Sequence, residues 1–209
     1  MGFPGRVALA TKNPGKIEEI MRICRTWPVV WTLARSLASS DRGSVSSLWP
    51  DVEETGATYL ENALLKANAV AQALQMPAVA DDSGIEVDAL GGVPGVLSAR
   101  FAGPNATDEE NLRLLIERVR AVGAPERTAR YRCVAVCAWP DGRHLSAEGS
   151  CEGRLVMEPR GSGGFGYDPG FVPSGERRTM AELSAEEKDA ISHRGKAFRR
   201  LGELLAADP

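Results

Sequence analysis

The sequence predicts an α/β protein whose sheet mixes parallel and antiparallel strands. Near the N-terminus, an apolar strand passes through a tight turn straight into a helix. Farther along, helices signalled by capping boxes alternate with apolar, strand-like runs. The turn Pro140-Asp141-Gly142 then joins two long strand-like segments as an antiparallel hairpin. Because strand–helix alternation and a long hairpin occur in one chain, we expect a mixed sheet rather than a purely parallel one.

The first half of the chain predicts two strand–helix pairs separated by a loop. Residues 6–10 form a buried strand that turns at residues 11–15 into a helix. The polar, serine-rich residues 35–48 predict a surface loop or a mobile insertion. A capping box at Thr58 starts the second helix, which ends before Pro77.

The second half predicts a strand, a helix, the hairpin and a helical end. A strand ends at Asp81-Asp82, and residues 84–90 alternate apolar and polar side chains after it. A capping box at Thr107 starts a third helix, which stops at Gly123.

The hairpin strands cover residues 128–139 and 143–149, and the second continues through Met157 after a kink near Gly153. A helical C-terminus starts near Ser184 and bends around residues 192–195.

Composition limits the classes of protein that the chain can belong to. Its 209 residues are 43% hydrophobic, which suits one globular domain over residues 1–209 with a sizeable core. A net charge of -3 gives no basic surface for nucleic acid, so we expect no such partner. Neither a signal peptide nor a membrane-spanning stretch is present, so we expect a cytoplasmic protein without a membrane partner. Four cysteines without a CxxC pair predict buried thiols rather than a zinc site.

Two adjacent carboxylates, Asp81 and Asp82, follow the apolar run of residues 76–80. Like charges at the end of a buried strand repel each other and resist desolvation, unless a cation or water reaches them. Neighbouring strand residues face opposite sides, so at most one carboxylate points into a given cleft, and we favour Asp82 beside the turn. The alternative is a solvated strand end with Ser83-Gly84 as turn residues.

Two further motifs carry groups suited to a phosphate and its metal. Residues 11–16, Thr-Lys-Asn-Pro-Gly-Lys, put a lysine at a helix N-terminus, where free N–H groups and the helix dipole favour anions. An ordinary turn with an exposed lysine is the alternative. Glu53 and Glu54 with the Asp81-Asp82 pair offer the oxygen ligands that Mg²⁺ prefers, and a solvated acidic loop is the alternative.

Two C-terminal motifs carry groups suited to a nucleobase. The glycine-rich residues 161–166 run into Tyr167-Asp168, and their aromatic side chains either stack on a planar base or fill the core. Lys188 and Arg194 lie six residues apart, so a bend after Ile191 is needed to bring them together. His193 beside them is either a structural histidine or, with Arg194, a donor to a purine 6-oxo group.

Seven motifs in this order resemble those of the inosine triphosphate pyrophosphatase family, which hydrolyses non-standard purine nucleoside triphosphates to monophosphate and pyrophosphate. The matching segments run from near residue 6 to near residue 205: residues 11–16, 53–56, 61–67, 80–84, 91–100, 163–169 and 187–194. The resemblance implies an elongated mixed sheet flanked by helices, two lobes with a central cleft, a homodimer and Mg²⁺ as cofactor. The expected substrates are ITP, dITP, XTP and dXTP, whose removal cleanses the nucleotide pool.

The resemblance also implies residue roles. Glu53 and Asp82 would bind Mg²⁺, Asp82 would be the proton acceptor, and Lys66 would support the phosphates. The remaining substrate-binding residues would be Thr11, Lys12, Asn13, Pro14, Gly15, Lys16, Ser83, Phe165, Gly166, Tyr167, Asp168, Lys188, His193 and Arg194. Lys12 stands where the family commonly has a small or neutral residue, and residues 35–48 form a longer segment than usual.

Two rival functions use the same residues. A nucleotide sensor would need the phosphate loop without an attacking water, and the carboxylates Glu53 and Asp82 argue against it. A pyrophosphatase for other damaged nucleotides, such as modified pyrimidines, would differ only in the base that it accepts.

Overall fold

The computed structural model describes residues 2–34, 49–123 and 125–208. Their strands are β1 (Arg6–Leu9), β2 (Val30–Thr32), β3 (Ala78–Val87), β4 (Thr128–Ala138), β5 (His144–Leu155) and β6 (Phe171–Pro173). They form one sheet in the order β2-β1-β3-β4-β5-β6. β1 pairs in parallel with β2 and β3, whereas β5 and β6 are antiparallel, so the predicted mixed sheet is confirmed.

Three of the helices begin where the sequence places their caps, whereas the first begins at Pro14, inside the predicted turn at residues 11–15. The helices are α1 (Pro14–Ile23), α2 (Tyr59–Leu74), α3 (Asp108–Val122), α4 (Ala185–Ile191) and α5 (His193–Ala207). The capping boxes at Thr58, Thr107 and Ser184 are all formed. Gly123 ends α3 in the left-handed conformation, as predicted.

Two of the predicted strand boundaries are wrong. β3 does not end at Asp82, because Ile85 and Val87 are buried and continue the alternation through Ser83 and Gly84. β5 ends at Leu155 rather than at the predicted Met157. A Cβ at Gly153 would lie 2.3 Å from the Val172 carbonyl oxygen, so the glycine permits the close approach of β6, and the predicted kink near Gly153 stays a prediction.

The chain divides into two compact units, each with its own core. The first holds the described part of residues 1–82 together with 134–148 and 197–208, and the second holds residues 83–133 and 149–196. Alanines dominate the first core, where α2 packs on the sheet through Ala63, Ala67 and Ala71. The second core is built from larger side chains, including Leu115, Tyr131 and Phe171. The predicted single domain with a cleft between lobes stays a prediction.

The sequence also led to expectations about the cysteines, about membrane-spanning helices and about residues 35–48. The four cysteines are buried free thiols, as predicted. In the part of the chain that the structure describes, no helix is long and apolar enough to cross a membrane. The predicted insertion at 35–48 lies outside the described residues.

Candidate functional site

The alternation of β3 sends its two aspartates to opposite faces of the sheet. Ala78 and Ala80 pack against α2, so Asp82, two residues farther along, faces α2 as well. Asp81 faces the other side, where its Oδ2 lies 3.2 Å from Nζ of Lys16 on α1. Right-handed crossovers that run in opposite directions from β1 and from β2 put α1 and α2 on opposite faces. Each carboxylate therefore meets a lysine from its own helix.

Asp82 is almost fully buried, at 5% exposure, and both of its oxygens accept hydrogen bonds. Lys66 donates to Oδ1 at 3.0 Å, and Asn62 donates to Oδ2 at 3.3 Å. Burial raises the pKa of Asp82, and the negative charge of Glu54 adds to this, while Lys66 and Lys16 oppose it. The result is a carboxylate that binds a proton more readily than an ordinary aspartate.

Lys66 also joins Glu54 to this group. Its Nζ lies 2.6 Å from Oε1 of Glu54, which is half-buried, whereas Glu53 is exposed. Burial lowers the pKa of Lys66, but the charges of Asp82, Asp81 and Glu54 outweigh it and raise the pKa overall. We call Lys16, Glu54, Lys66, Asp81 and Asp82 the acidic–lysine cluster.

Asn62 holds the acidic loop against the cluster, a role that the sequence reading missed. Its Oδ1 accepts from the Gly56 N–H at 2.8 Å while its Nδ2 donates to Asp82. A Cβ at Gly56 would lie 2.7 Å from that Oδ1, so glycine permits the close approach. The complete burial of Asn62, which the sequence does not reveal, is what marks it as a side chain that needs hydrogen-bond partners.

Within residues 11–16, polar side chains stabilise the conformation of the loop through hydrogen bonds to its own backbone. Asn13 caps α1 by accepting from the Lys16 N–H at 3.0 Å, and Thr11 Oγ1 accepts from the Asn13 N–H at 3.2 Å. Pro14 and Gly15 are the first two residues of α1. Lys12 forms an ion pair with Asp51, which lowers the pKa of that carboxyl. The loop is therefore preorganised, with a cation at each end.

A second group of predicted residues meets around Asp168, which is buried. Its Oδ2 accepts from Nζ of Lys188 at 2.5 Å and from the Phe165 N–H at 3.0 Å. The Lys188 ammonium lies 4.9 Å from the centroid of the Phe165 ring, and the Arg194 guanidinium lies 5.5 Å from it. We call Phe165, Asp168, Lys188, His193 and Arg194 the aromatic–basic cluster.

The predicted bend in the C-terminal helix brings the basic residues together. Ser192 ends α4 with extended backbone angles, and its Oγ accepts from the Gly195 N–H at 3.0 Å, as an N-cap of α5 does. His193 and Arg194 are thus the first two residues of α5, and both are buried. Arg194 donates to Oγ of Ser83 at 2.8 Å.

The side chain of Tyr167 belongs to the core. This agrees with the alternative in which the aromatic side chains of this loop fill the core. Its hydroxyl donates to the Ser98 carbonyl oxygen at 2.7 Å, and burial raises its pKa well above the usual range. Its predicted contact with a nucleotide stays a prediction. The neighbouring Gly166 N–H donates to Oδ2 of Asp108 at 2.6 Å, which fixes the loop to the start of α3.

Comparison with known proteins identifies this arrangement. The Ham1 family model matches residues 7–204, which is nearly the whole chain. The chain belongs to the Ham1 family. The structure of a Ham1 protein from Coxiella burnetii matches with a TM-score of 0.84 and 38% identity, over 97% of this chain and 99% of that one. The Ham1 protein of Staphylococcus aureus matches with a TM-score of 0.81 and 37% identity, over 98% of this chain and 100% of that one. These Ham1 structures share the α/β fold.

Curated relatives carry a common functional name. The dITP/XTP pyrophosphatase of Streptomyces avermitilis is 50% identical, over 94% of each chain. That of Thermus thermophilus is 50% identical over 98% of this chain and 93% of its own. The Escherichia coli enzyme is 44% identical over 96% of this chain and 98% of its own.

Proposed function

We propose that this Ham1 protein hydrolyses ITP, dITP, XTP and dXTP to the nucleoside monophosphate and pyrophosphate. The observation that carries the proposal is Asp82, a buried carboxylate with a raised pKa that is paired with Lys66, while Lys16 is paired with the adjacent Asp81. A buried acid of this kind can take a proton from a water molecule, and the lysines can bind phosphate oxygens. The relatives named dITP/XTP pyrophosphatases support the choice of substrate.

Asp82 is the proposed proton acceptor, and the surrounding groups have separate tasks. Asp82 removes a proton from the water that attacks the α-phosphorus. Lys16 and the N-terminus of α1 stabilise the charge that develops on the departing pyrophosphate. Lys66 holds Asp82 in place and offsets its charge. Site chemistry alone does not choose the α- over the γ-phosphorus, and the pyrophosphatase name of the relatives supports the α-position.

The acidic–lysine cluster fits Mg²⁺ by the chemistry of its donors. In the described ranges 2–34, 49–123 and 125–208, no group of three or more His, Cys, Asp or Glu could hold a metal ion by itself. Mg²⁺ is commonly bound by one or two carboxylates, with substrate phosphates and water completing its shell. Asp82 and Glu54 would hold it, Glu54 replacing the predicted Glu53 because Lys66 joins Glu54 to Asp82. Once bound, the ion neutralises phosphate charge.

The aromatic–basic cluster is the proposed reader of the base. Phe165 offers a ring face for stacking, and Lys188, His193 and Arg194 offer N–H donors. Donors aimed at a 6-oxo group reject a 6-amino group, because a donor would then meet a donor. This selects inosine and xanthosine triphosphates over ATP, while GTP, which also has a 6-oxo group, is not rejected by these donors.

Two further proposals concern the cellular state of the protein. We infer a homodimer in the cytoplasm, supported by the likeness to the inosine triphosphate pyrophosphatase family. Light scattering of the purified protein measures its mass, and a monomer would contradict the proposed dimer. Fractionation of the source cells tests the location.

A pyrophosphate-release assay with ITP, with and without Mg²⁺, tests the proposed function. Asp82→Asn should lower turnover by about a thousandfold or more while the melting temperature stays close to that of the wild type. Activity near the wild-type level in this variant would remove Asp82 from the mechanism. Binding of ITP without any pyrophosphate release by the wild type would favour the nucleotide sensor. The same assay with a panel of substrates that includes modified pyrimidine triphosphates tests the second rival, a pyrophosphatase for other damaged nucleotides.

A further inference from the structure

Tyr131 is a buried tyrosine of β4 that the proposed mechanism does not use. Its exposure is 6%, and its hydroxyl donates to Oδ1 of Asp168 at 3.2 Å. Its ring lies parallel to the imidazole of His193, with centroids 4.5 Å apart and an interplanar angle of 5°. Its ring also packs edge-to-face with that of Phe171, with centroids 4.9 Å apart.

These contacts link the members of the aromatic–basic cluster. Asp168 uses its other oxygen for Lys188 and for the backbone of Phe165. Tyr131 is therefore bonded to the carboxylate that orients Lys188 and Phe165, and it is stacked on the histidine proposed to read the base. A phenylalanine would fill the same core position and keep the stacking, so the hydroxyl and the ring can be tested separately.

We propose that Tyr131 is a positioning residue for base selection, acting through His193. The stacked ring fixes the plane of the imidazole, and with it the direction in which His193 can donate to a purine 6-oxo group. Stacked aromatic pairs have a preferred geometry and contribute beyond the area that they bury. The hydroxyl has a secondary task, because Asp168 already receives two other hydrogen bonds. The proposal rests on the proposed function, since it assigns a selectivity to the same site.

The placement of His193 can be measured without any turnover. The chain has only two histidines, and His144 is exposed, so the imidazole C–H resonances in a proton NMR spectrum divide into two sets. A parallel ring at this distance displaces the His193 resonances upfield. We expect this displacement in the wild type and in Tyr131→Phe, and its loss in Tyr131→Leu, with His144 as internal reference. Unchanged His193 resonances in Tyr131→Leu would overturn the proposal.

The second readout is the ratio of kcat/KM for ITP to that for ATP. Tyr131→Phe should keep this ratio within about twofold, because the ring remains. Tyr131→Leu should lower it about tenfold, through a higher KM for ITP with kcat retained. Tyr131→Met, whose longer and more flexible side chain adapts to the space left by the ring, is the second non-aromatic variant if the leucine variant does not fold.

Phe171→Leu is the matched control, because it removes the other ring that packs against Tyr131 and retains both rings of the stack between Tyr131 and His193. It should lower the melting temperature and leave the ITP-to-ATP ratio unchanged within about twofold. An equal loss of the ratio in the Phe and Leu variants of Tyr131, or a loss of the same size in Phe171→Leu, would overturn the role of the ring. If the wild type releases no pyrophosphate from ITP, the proposed function fails, and the NMR measurement still decides the placement of His193.

Discussion

Asp82 owes its proton affinity to burial, and Lys66 limits that affinity. Burial raises the pKa of Asp82 and Lys66 lowers it, so the two effects can be separated by substitution. A proton acceptor works only when it is deprotonated, so activity falls as the pH drops through its pKa. We therefore expect kcat/KM to fall with decreasing pH at a pH above the usual pKa of an aspartate, and we call this fall the acidic limb of the pH profile.

Lys66→Met should move that limb to still higher pH, because the positive charge that favours the deprotonated form is gone. The measurement is kcat/KM for ITP against pH for the wild type and the variant. Lys196→Met is the control, since this lysine donates to the Ser150 carbonyl oxygen and touches no residue of the acidic–lysine cluster in the described contacts. A limb that stays in place in Lys66→Met would separate Lys66 from the proton acceptor.

Glu53 and Glu54 form a matched pair for locating the metal. The family resemblance implies Glu53, whereas the ion pair with Lys66 favours Glu54. Glu54→Gln should raise the Mg²⁺ concentration needed for half-maximal activity about ten- to hundredfold, with Glu53→Gln close to the wild type. The reverse result would restore the original assignment to Glu53.

Among single residues, the sequence is most informative where charge stands in an apolar run. The Asp81-Asp82 pair was visible for this reason, and the strand alternation correctly predicted that the two face apart. Asn62 and Tyr131 could not be found from the sequence, because the partners that give them a role are distant along the chain. Asn62 donates to Asp82, 20 residues away, and Tyr131 donates to Asp168, 37 residues away, and no local pattern reports such pairs.

In the loop that carries Phe165, position 164 has room only for a glycine. Its φ is +70°, and a Cβ would lie 2.1 Å from Oδ2 of Asp168, the atom that binds Lys188. Gly164→Ala should therefore separate Lys188 from Asp168 and add backbone strain of about 1–2 kcal/mol. We expect a clear loss of kcat/KM for ITP together with a lower melting temperature.

Gly175→Ala supplies the control for strain alone. Gly175 has a φ of +86°, and its Cβ would meet nothing within 4 Å. This variant should lower the melting temperature by a similar amount and leave kcat/KM for ITP unaltered. Equal kinetic losses in the two variants would mean that the contact between Gly164 and Asp168 has no part in activity.

At the scale of elements, the starts of the helices with capping boxes were predictable, whereas the ends of β3 and β5 were not. A capping box is a local signal, because its two hydrogen bonds span three residues. Whether β3 continues past Asp82 depends instead on partners that are distant in sequence, such as Ser98, whose Oγ accepts from the Ile85 N–H at 2.9 Å. The same holds for Gly153, whose meaning depends on Val172 of β6.

For the molecule as a whole, the proposed function gives the two clusters different tasks. The acidic–lysine cluster offers charge and a proton acceptor, which suit any polyphosphate. The aromatic–basic cluster offers a ring face and N–H donors, which suit only the base. Affinity for the phosphates and choice of base are therefore expected to respond to different substitutions.

Inorganic tripolyphosphate separates these two contributions, because it has the phosphates and no base. In an Asp82→Asn background, which should not consume ITP, binding of both ligands can be measured by calorimetry in the presence of Mg²⁺. Adding Lys16→Met should weaken ITP and tripolyphosphate alike, about ten- to hundredfold, the size of a hydrogen bond to a charged group. Adding Arg194→Ala should weaken ITP and leave tripolyphosphate unchanged. Equal weakening of both ligands by Arg194→Ala would assign this residue to the phosphates and leave base selection to the remaining members of the aromatic–basic cluster.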